Sequence, residues 1–167
     1  MCVGCKRIAE IRGLQSDRHI ASTNETSKDV LQQELSKEMV AIMDTPEEVV
    51  GYTVQYVAPE ADVERIHEFG LKNTSDILSS DQQQKLQDIL LNTENYHLSG
   101  VSLCNFSPEF AFQFQHGKDN LIVLFSRRCK QALFVLKGKE VLTSFNIEES
   151  GLLAFVQSLF PIEESIH

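Results

Sequence analysis

The sequence predicts an α+β domain in which about three helices cover an antiparallel sheet of four or five strands. Three observations carry that expectation. Past Tyr96 the apolar period drops to two, with Phe110, Phe112 and Phe114 alternating with Ala111, Gln113 and Gln115. Two unbroken apolar runs follow, Leu121–Phe125 and Ala132–Leu136, with turn-type residues between them. Elsewhere the apolar residues recur at steps of three and four, the spacing of one helix face.

Taken in chain order, residues 1–27 show no sustained period and read as a tether or processed segment. The spacing predicts a helix over 28–43, with Leu31, Leu35, Met39 and Ile42 on one face and Asp44-Thr45-Pro46 ending it. In Gly51–Val57, Tyr52, Val54 and Tyr56 alternate with polar residues, as in a half-buried strand. Val63, Ile66 and Phe69 suggest a short helix closed by Gly70. Ser80 and Gln83 stand at capping-box spacing before a helix running to about Asn92 through Leu86, Ile89 and Leu90.

The aromatic strand of Phe110–Phe114, the two continuous runs and Val141–Phe145 then form a four-strand meander. Its turns fall at Gly117–Asn120, Arg127–Lys130 and Lys137–Lys139. Asn146 caps a last helix over 147–160, with Leu152, Val156 and Leu159 on its apolar stripe, and Pro161 stops it. Residues 28–161 make one domain, and 162–167 a polar tail. Runs that do not alternate belong to strands covered on both faces, so helices are expected on both sides of the sheet centre. The strand at Tyr52–Val57 is expected at an edge.

A chain of 167 residues fits one domain that folds without staples. Lys and Arg number 15 against 24 Asp and Glu, a net charge of −9. That field repels polyanions and excludes nucleic-acid binding by general phosphate neutralisation. The longest apolar runs fall far short of the roughly 18–20 residues that span a bilayer.

The cysteines are Cys2, Cys5, Cys104 and Cys129. Cys2-Val3-Gly4-Cys5 has the form CxxC, but no strand precedes it for a redox motif and no second ligand pair follows for zinc. Val3-Gly4-Cys5 resembles the end of a lipobox in part, with Cys2 where Leu is usual, which makes Cys5 the lipidation candidate. The basic and apolar regions of a signal peptide are absent, so an ordinary cytoplasmic N-terminus stands beside that reading. Cys104 precedes the first meander strand and Cys129 follows the second, at the same end of the sheet. They are the disulfide candidate, closing a loop of about 25 residues. In a reducing compartment they stay thiols.

No nucleophile elbow, HExxH, P-loop or dinucleotide motif occurs, and we name no catalytic residue, metal ligand or cofactor. His97, Cys104, His116 and Cys129 form a valid zinc set by type, without ligand spacing. Arg127, Arg128 and Lys130 are the dense basic cluster of an acidic chain: an anion-binding candidate, or charges that blunt a hairpin tip. Phe106, Phe110, Phe112 and Phe114 line either a ligand pocket or the core.

Tyr96 after a helix, Cys104-x-Phe106-x-Pro108, an aromatic strand, a hydrophobic strand with Cys129 just past its end, and a helix closing in Leu159-Phe160-Pro161 together form a pattern. Over roughly 28–161 it resembles a group of uncharacterised bacterial proteins that often carry lipoprotein signals. The resemblance implies a fold and an envelope location, and no activity. Ser126 and Arg127 depart from the CFxC-like segment of that pattern, which weighs against a metal or redox role. The first expectation is a non-enzymatic, lipid-anchored envelope domain that binds a protein partner or small ligand. Membrane contact comes through the anchor alone, and the oligomeric state stays open. The alternatives are a metal- or thiol-dependent protein using Cys104 and Cys129, and a cytoplasmic interaction domain.

Overall fold

The computed structural model describes residues 29–97 and 103–161. The expected tether with Cys5 and the tail 162–167 lie outside the described residues. Eight strands form one sheet: β1 Glu48–Gln55, β2 Arg65–Ile66, β3 Phe69–Ile77, β4 Tyr96–His97, β5 Phe110–His116, β6 Asp119–Ser126, β7 Gln131–Leu136 and β8 Lys139–Phe145. Their spatial order is β2-β3-β1-β5-β6-β7-β8-β4, and every neighbouring pair is antiparallel. The two continuous apolar runs lie side by side, Leu121 opposite Leu136 and Phe125 opposite Ala132.

Eight strands correct the expected four or five. The three additional strands are β2, β3 and β4. Val63, Ile66 and Phe69 stand three residues apart and imitate a helix face, yet Ile66 and Phe69 pair across a tight turn. His67 makes that turn possible at φ 53°, a region rare for residues with a Cβ but enriched for His. After Phe69 and Gly70, β3 is largely exposed and polar, so it carries no alternation for a sequence pattern to detect. β4 is two residues long and pairs Tyr96 with Phe145. The new hairpin also moves β1 from the expected edge to the interior, between β3 and β5.

The three expected helices become five α-helical segments among the described residues, with a short 3-10 turn at Thr93–Asn95. Residues 29–34 form α1, and α2 is Lys37–Asp44. Ser36 at φ 130° breaks the run, and its Oγ accepts the Met39 N–H at 3.3 Å to cap α2. The break keeps Leu31, Leu35, Met39 and Ile42 on one buried side. The third segment, α3, is Ser80–Leu90. Its capping box uses Ser79 and Gln82, one residue before the expected pair. Asn146 caps α4, Ile147–Ser150, and Gly151 at φ 71° turns the chain into α5, Leu152–Leu159.

The helices pack on one face of the sheet. There Phe112, Phe114, Leu121, Val123, Phe125 and Phe134 meet residues of α1, α2, α3 and α5 in one cluster. Phe112, Phe125 and Phe145 stack edge to face through it, with centroids 6.2 Å and 5.3 Å apart. The opposite face corrects a second expectation. No helical residue belongs to its cluster of Val54, Ile66, Phe69, Ala111 and Leu124. The sheet covers that face by rolling up. β2 and β8 lie six strand positions apart, about 29 Å in a flat sheet. His67, in the β2–β3 turn, nevertheless reaches Glu140 of β8 at 3.4 Å. Hence Ala111 and Leu124 are fully buried on the side away from the helices.

Candidate functional site

The rolled sheet and the helix layer leave a cleft of about 830 Å³ where α5 ends over β1 and β3. One wall is α5 and the residues after it: Leu153, Val156, Leu159 and Phe160, with Phe110 opposite at the start of β5. These are core-type side chains at the margin of the main cluster. Gly51 lets α5 come this close. A Cβ there would sit 3.2 Å from Phe112 Cε1 and 3.4 Å from Leu159 Cδ1.

The rim is polar. Thr53 and Asn73 face each other across β1 and β3, and the Asn73 amide donates to Thr53 Oγ1 at 2.8 Å. Lys72 is the unpaired residue where Thr53 pairs with Asn73 but Val54 pairs with Leu71. Bulges of this kind re-aim a side chain, and Lys72 lines the cleft. Arg127 enters from the β6–β7 turn. Its backbone N–H donates to Glu109 Oε2 at 2.7 Å, while the Glu109 N–H donates to the Phe125 carbonyl at 2.9 Å. The lining therefore holds two cations, Lys72 and Arg127, against one acid, Glu109. Neither cationic head group has a hydrogen-bond or ion-pair partner among the described residues.

The basic cluster at the β6–β7 turn divides. Arg127 lines the cleft, Lys130 pairs with Glu148 at 2.8 Å, and Arg128 is exposed outside the lining. The phenylalanines divide too: Phe112 and Phe114 are core, Phe106 packs on the second cluster, and Phe110 reaches the cleft. Cys104 and Cys129 are joined as a disulfide with Cα atoms 5.6 Å apart. It ties the segment before β5 to the turn carrying Arg127. Ser126 Oγ, fully buried, accepts the Cys129 N–H at 3.3 Å in that turn.

The zinc set considered from the sequence does not assemble. Both its cysteines are in the disulfide, and His116 stands at the far end of β5, donating Nδ1–H to the Thr45 carbonyl at 2.6 Å. Among the described residues no three His, Cys, Asp or Glu side chains group as metal ligands, and no helix is long and apolar enough to cross a membrane.

Lys72 and the α5 wall were not foreseen as site residues. Lys72 lies in a polar stretch just past the short helix expected to close at Gly70, and no periodic signal marks a bulge. Leu153 and Phe160 look like core residues until the rolled sheet leaves them at an opening. Comparison with protein-family models, with curated proteins and with solved structures finds no match to this chain. The class is therefore defined by the molecule itself: a rolled, eight-stranded antiparallel α+β domain with one helix-side cleft described at its β1–β3 margin.

Proposed function

We propose that this chain is a non-enzymatic binding domain of the cell envelope, and that the cleft beneath α5 receives the ligand. The observation that carries the reading is an apolar wall beside two cations whose head groups have no hydrogen-bond or ion-pair partner among the described residues. Small-ligand sites are usually clefts of roughly 300–1,000 Å³ that combine apolar walls with placed polar groups, and this cleft sets Thr53, Gln55, Asn73 and Gln157 beside its charged residues and its apolar wall. The disulfide supports an oxidising compartment, because thiol pairs stay reduced in most cytosols. It also counts against a thiol- or metal-dependent role, since neither sulfur is available as nucleophile or ligand. Cys5 is the residue through which an anchor would attach, and the acidic chain takes no part in nucleic-acid binding.

The test is chemical-shift mapping of the full chain with octyl glucoside, a neutral molecule with an apolar tail. Shifts centred on Phe110, Leu153 and Phe160 support the reading. Shifts scattered over the surface, or none from any probe, overturn it. An intact mass carrying a diacylglyceryl group on Cys5, and no alkylatable thiol at Cys104 or Cys129, support the envelope assignment. An unmodified N-terminus with two free thiols in protein isolated under non-reducing conditions refutes it.

A further inference from the structure

We infer that the ligand is an amphiphile with one anionic head, carboxylate or phosphate, on a hydrocarbon body. The inference rests on the cleft being a binding site and adds the chemistry of what fills it. The body is set by the wall: Phe110, Leu153, Val156, Leu159 and Phe160 offer hydrocarbon, with Gln157 as the one amide on the α5 side of the lining. The head is set by Lys72 and Arg127. Arg presents a planar fork that matches carboxylate and phosphate oxygens, and Lys adds a mobile point charge.

The number of charges follows from the lining. Two cations face one acid, leaving an excess of one positive charge. Glu109 has one oxygen engaged by the Arg127 N–H, so its carboxylate holds the turn in place beside the cations. The surrounding chain is strongly acidic at −9. A small anion gains nothing from that field at a distance and is retained by contact with these two groups. Lys72 is carried by a bulge and Arg127 by a turn pinned at both Glu109 and Cys129, so both are positioned by structure rather than by chance exposure.

The experiment compares four probes sharing one eight-carbon tail, each titrated into the full chain below its micelle concentration: octanoate, octyl phosphate, octyl glucoside and octyltrimethylammonium. Octanoate or octyl phosphate should bind about ten-fold tighter than octyl glucoside, and the better of the two identifies the head. Arg127→Ala and Lys72→Ala should each weaken the anionic probe about five-fold and leave octyl glucoside unchanged. Both side chains are exposed, so folding is not at stake. Raising the salt should weaken the anionic probes alone. Equal binding of octyl glucoside and octanoate, or preference for the ammonium probe, overturns the anionic head and leaves the cleft reading intact. No cleft shift with any probe overturns both. Cleft shifts that grow with protein concentration alone assign the surface to a second copy of the chain, and also overturn the inference.

Discussion

Glu109 and Arg127 meet backbone to side chain: the Arg127 N–H donates to Glu109 Oε2 at 2.7 Å across 18 residues of sequence. That bond closes the open end of the β5–β6 hairpin, beyond the last ladder pair of Phe110 and Phe125. It also fixes where the Arg127 side chain leaves the turn. Glu109→Ala should lower stability by about 1 kcal/mol, the usual worth of a partly solvated charged hydrogen bond. Glu109→Gln keeps an acceptor and should recover most of the loss. Urea unfolding of the two variants checks this, and equal losses would show that charge rather than hydrogen bonding is at work.

The disulfide lies two residues beyond Arg127 and staples the same turn to the segment before β5. Its sequence separation is 25. Constraining a loop of that length in the unfolded chain stabilises by about 3 kcal/mol. The Cys104→Ser, Cys129→Ser double variant should therefore melt roughly 6–12 °C lower. It should also weaken the preference for anionic probes, because Arg127 loses one of its two anchors. Unchanged melting would mean that the strap is held by Phe106 and Pro108 rather than by the bond.

Much of the meander was legible because β5 to β8 are regular and local. Alternation at Phe110–Phe114, and turns at Gly117 and Gly138 with φ of 59° and 77°, are signals that a period and a residue type can carry. The β2–β3 hairpin was not legible. Its apolar residues are too few and happen to fall three apart. What makes it a hairpin is tertiary: Ile66 and Phe69 are buried because the sheet rolls over Ala111 and Leu124. Continuous apolar runs reported correctly that both faces of the central strands are covered, but not by what. A sequence pattern registers burial and is blind to whether a helix or a curled edge supplies it. The cleft follows the same logic. Its wall residues have core composition, and its Lys72 is placed by a register slip between β1 and β3 that no single-chain period records.

Gly70 packs tightly beneath Val57, just past the end of β1. A Cβ at this position would lie 2.6 Å from Val57 Cγ1, inside any tolerable contact. Gly70→Ala should cost about 1–3 kcal/mol through overpacking. Val57→Ala in the same chain should restore part of that loss, since it removes the clashing methyls. A double-mutant cycle by denaturant unfolding measures the coupling. Additive losses would mean that β3 shifts away freely, and that the close approach is not what shapes the roll.

Tyr96 should set the alkaline limit of the fold. Its ring is buried against Phe145 with centroids 4.8 Å apart, and its hydroxyl donates to the Leu90 carbonyl at 2.6 Å. Burial pushes the phenol well above its ordinary value near 10. Tyr52 is raised as well, by desolvation first and then by Glu64 and Glu48. In both cases the folded state keeps a proton that the unfolded chain loses. The stabilisation is therefore complete below about pH 10 and falls as pH rises toward the folded-state value, by about 1.4 kcal/mol per pH unit for the buried Tyr96 and by less for the partly exposed Tyr52, whose charge solvent screens. Tyr96→Phe should cost about 1–3 kcal/mol at neutral pH, because the buried Leu90 carbonyl loses its donor. Above pH 10 the same variant should lose stability less steeply than the parent, by that one-proton slope. Urea unfolding at pH 8, 10 and 11 gives both numbers. Parallel curves for variant and parent would show that the Tyr96 phenol ionises as readily in the folded chain as in the unfolded one.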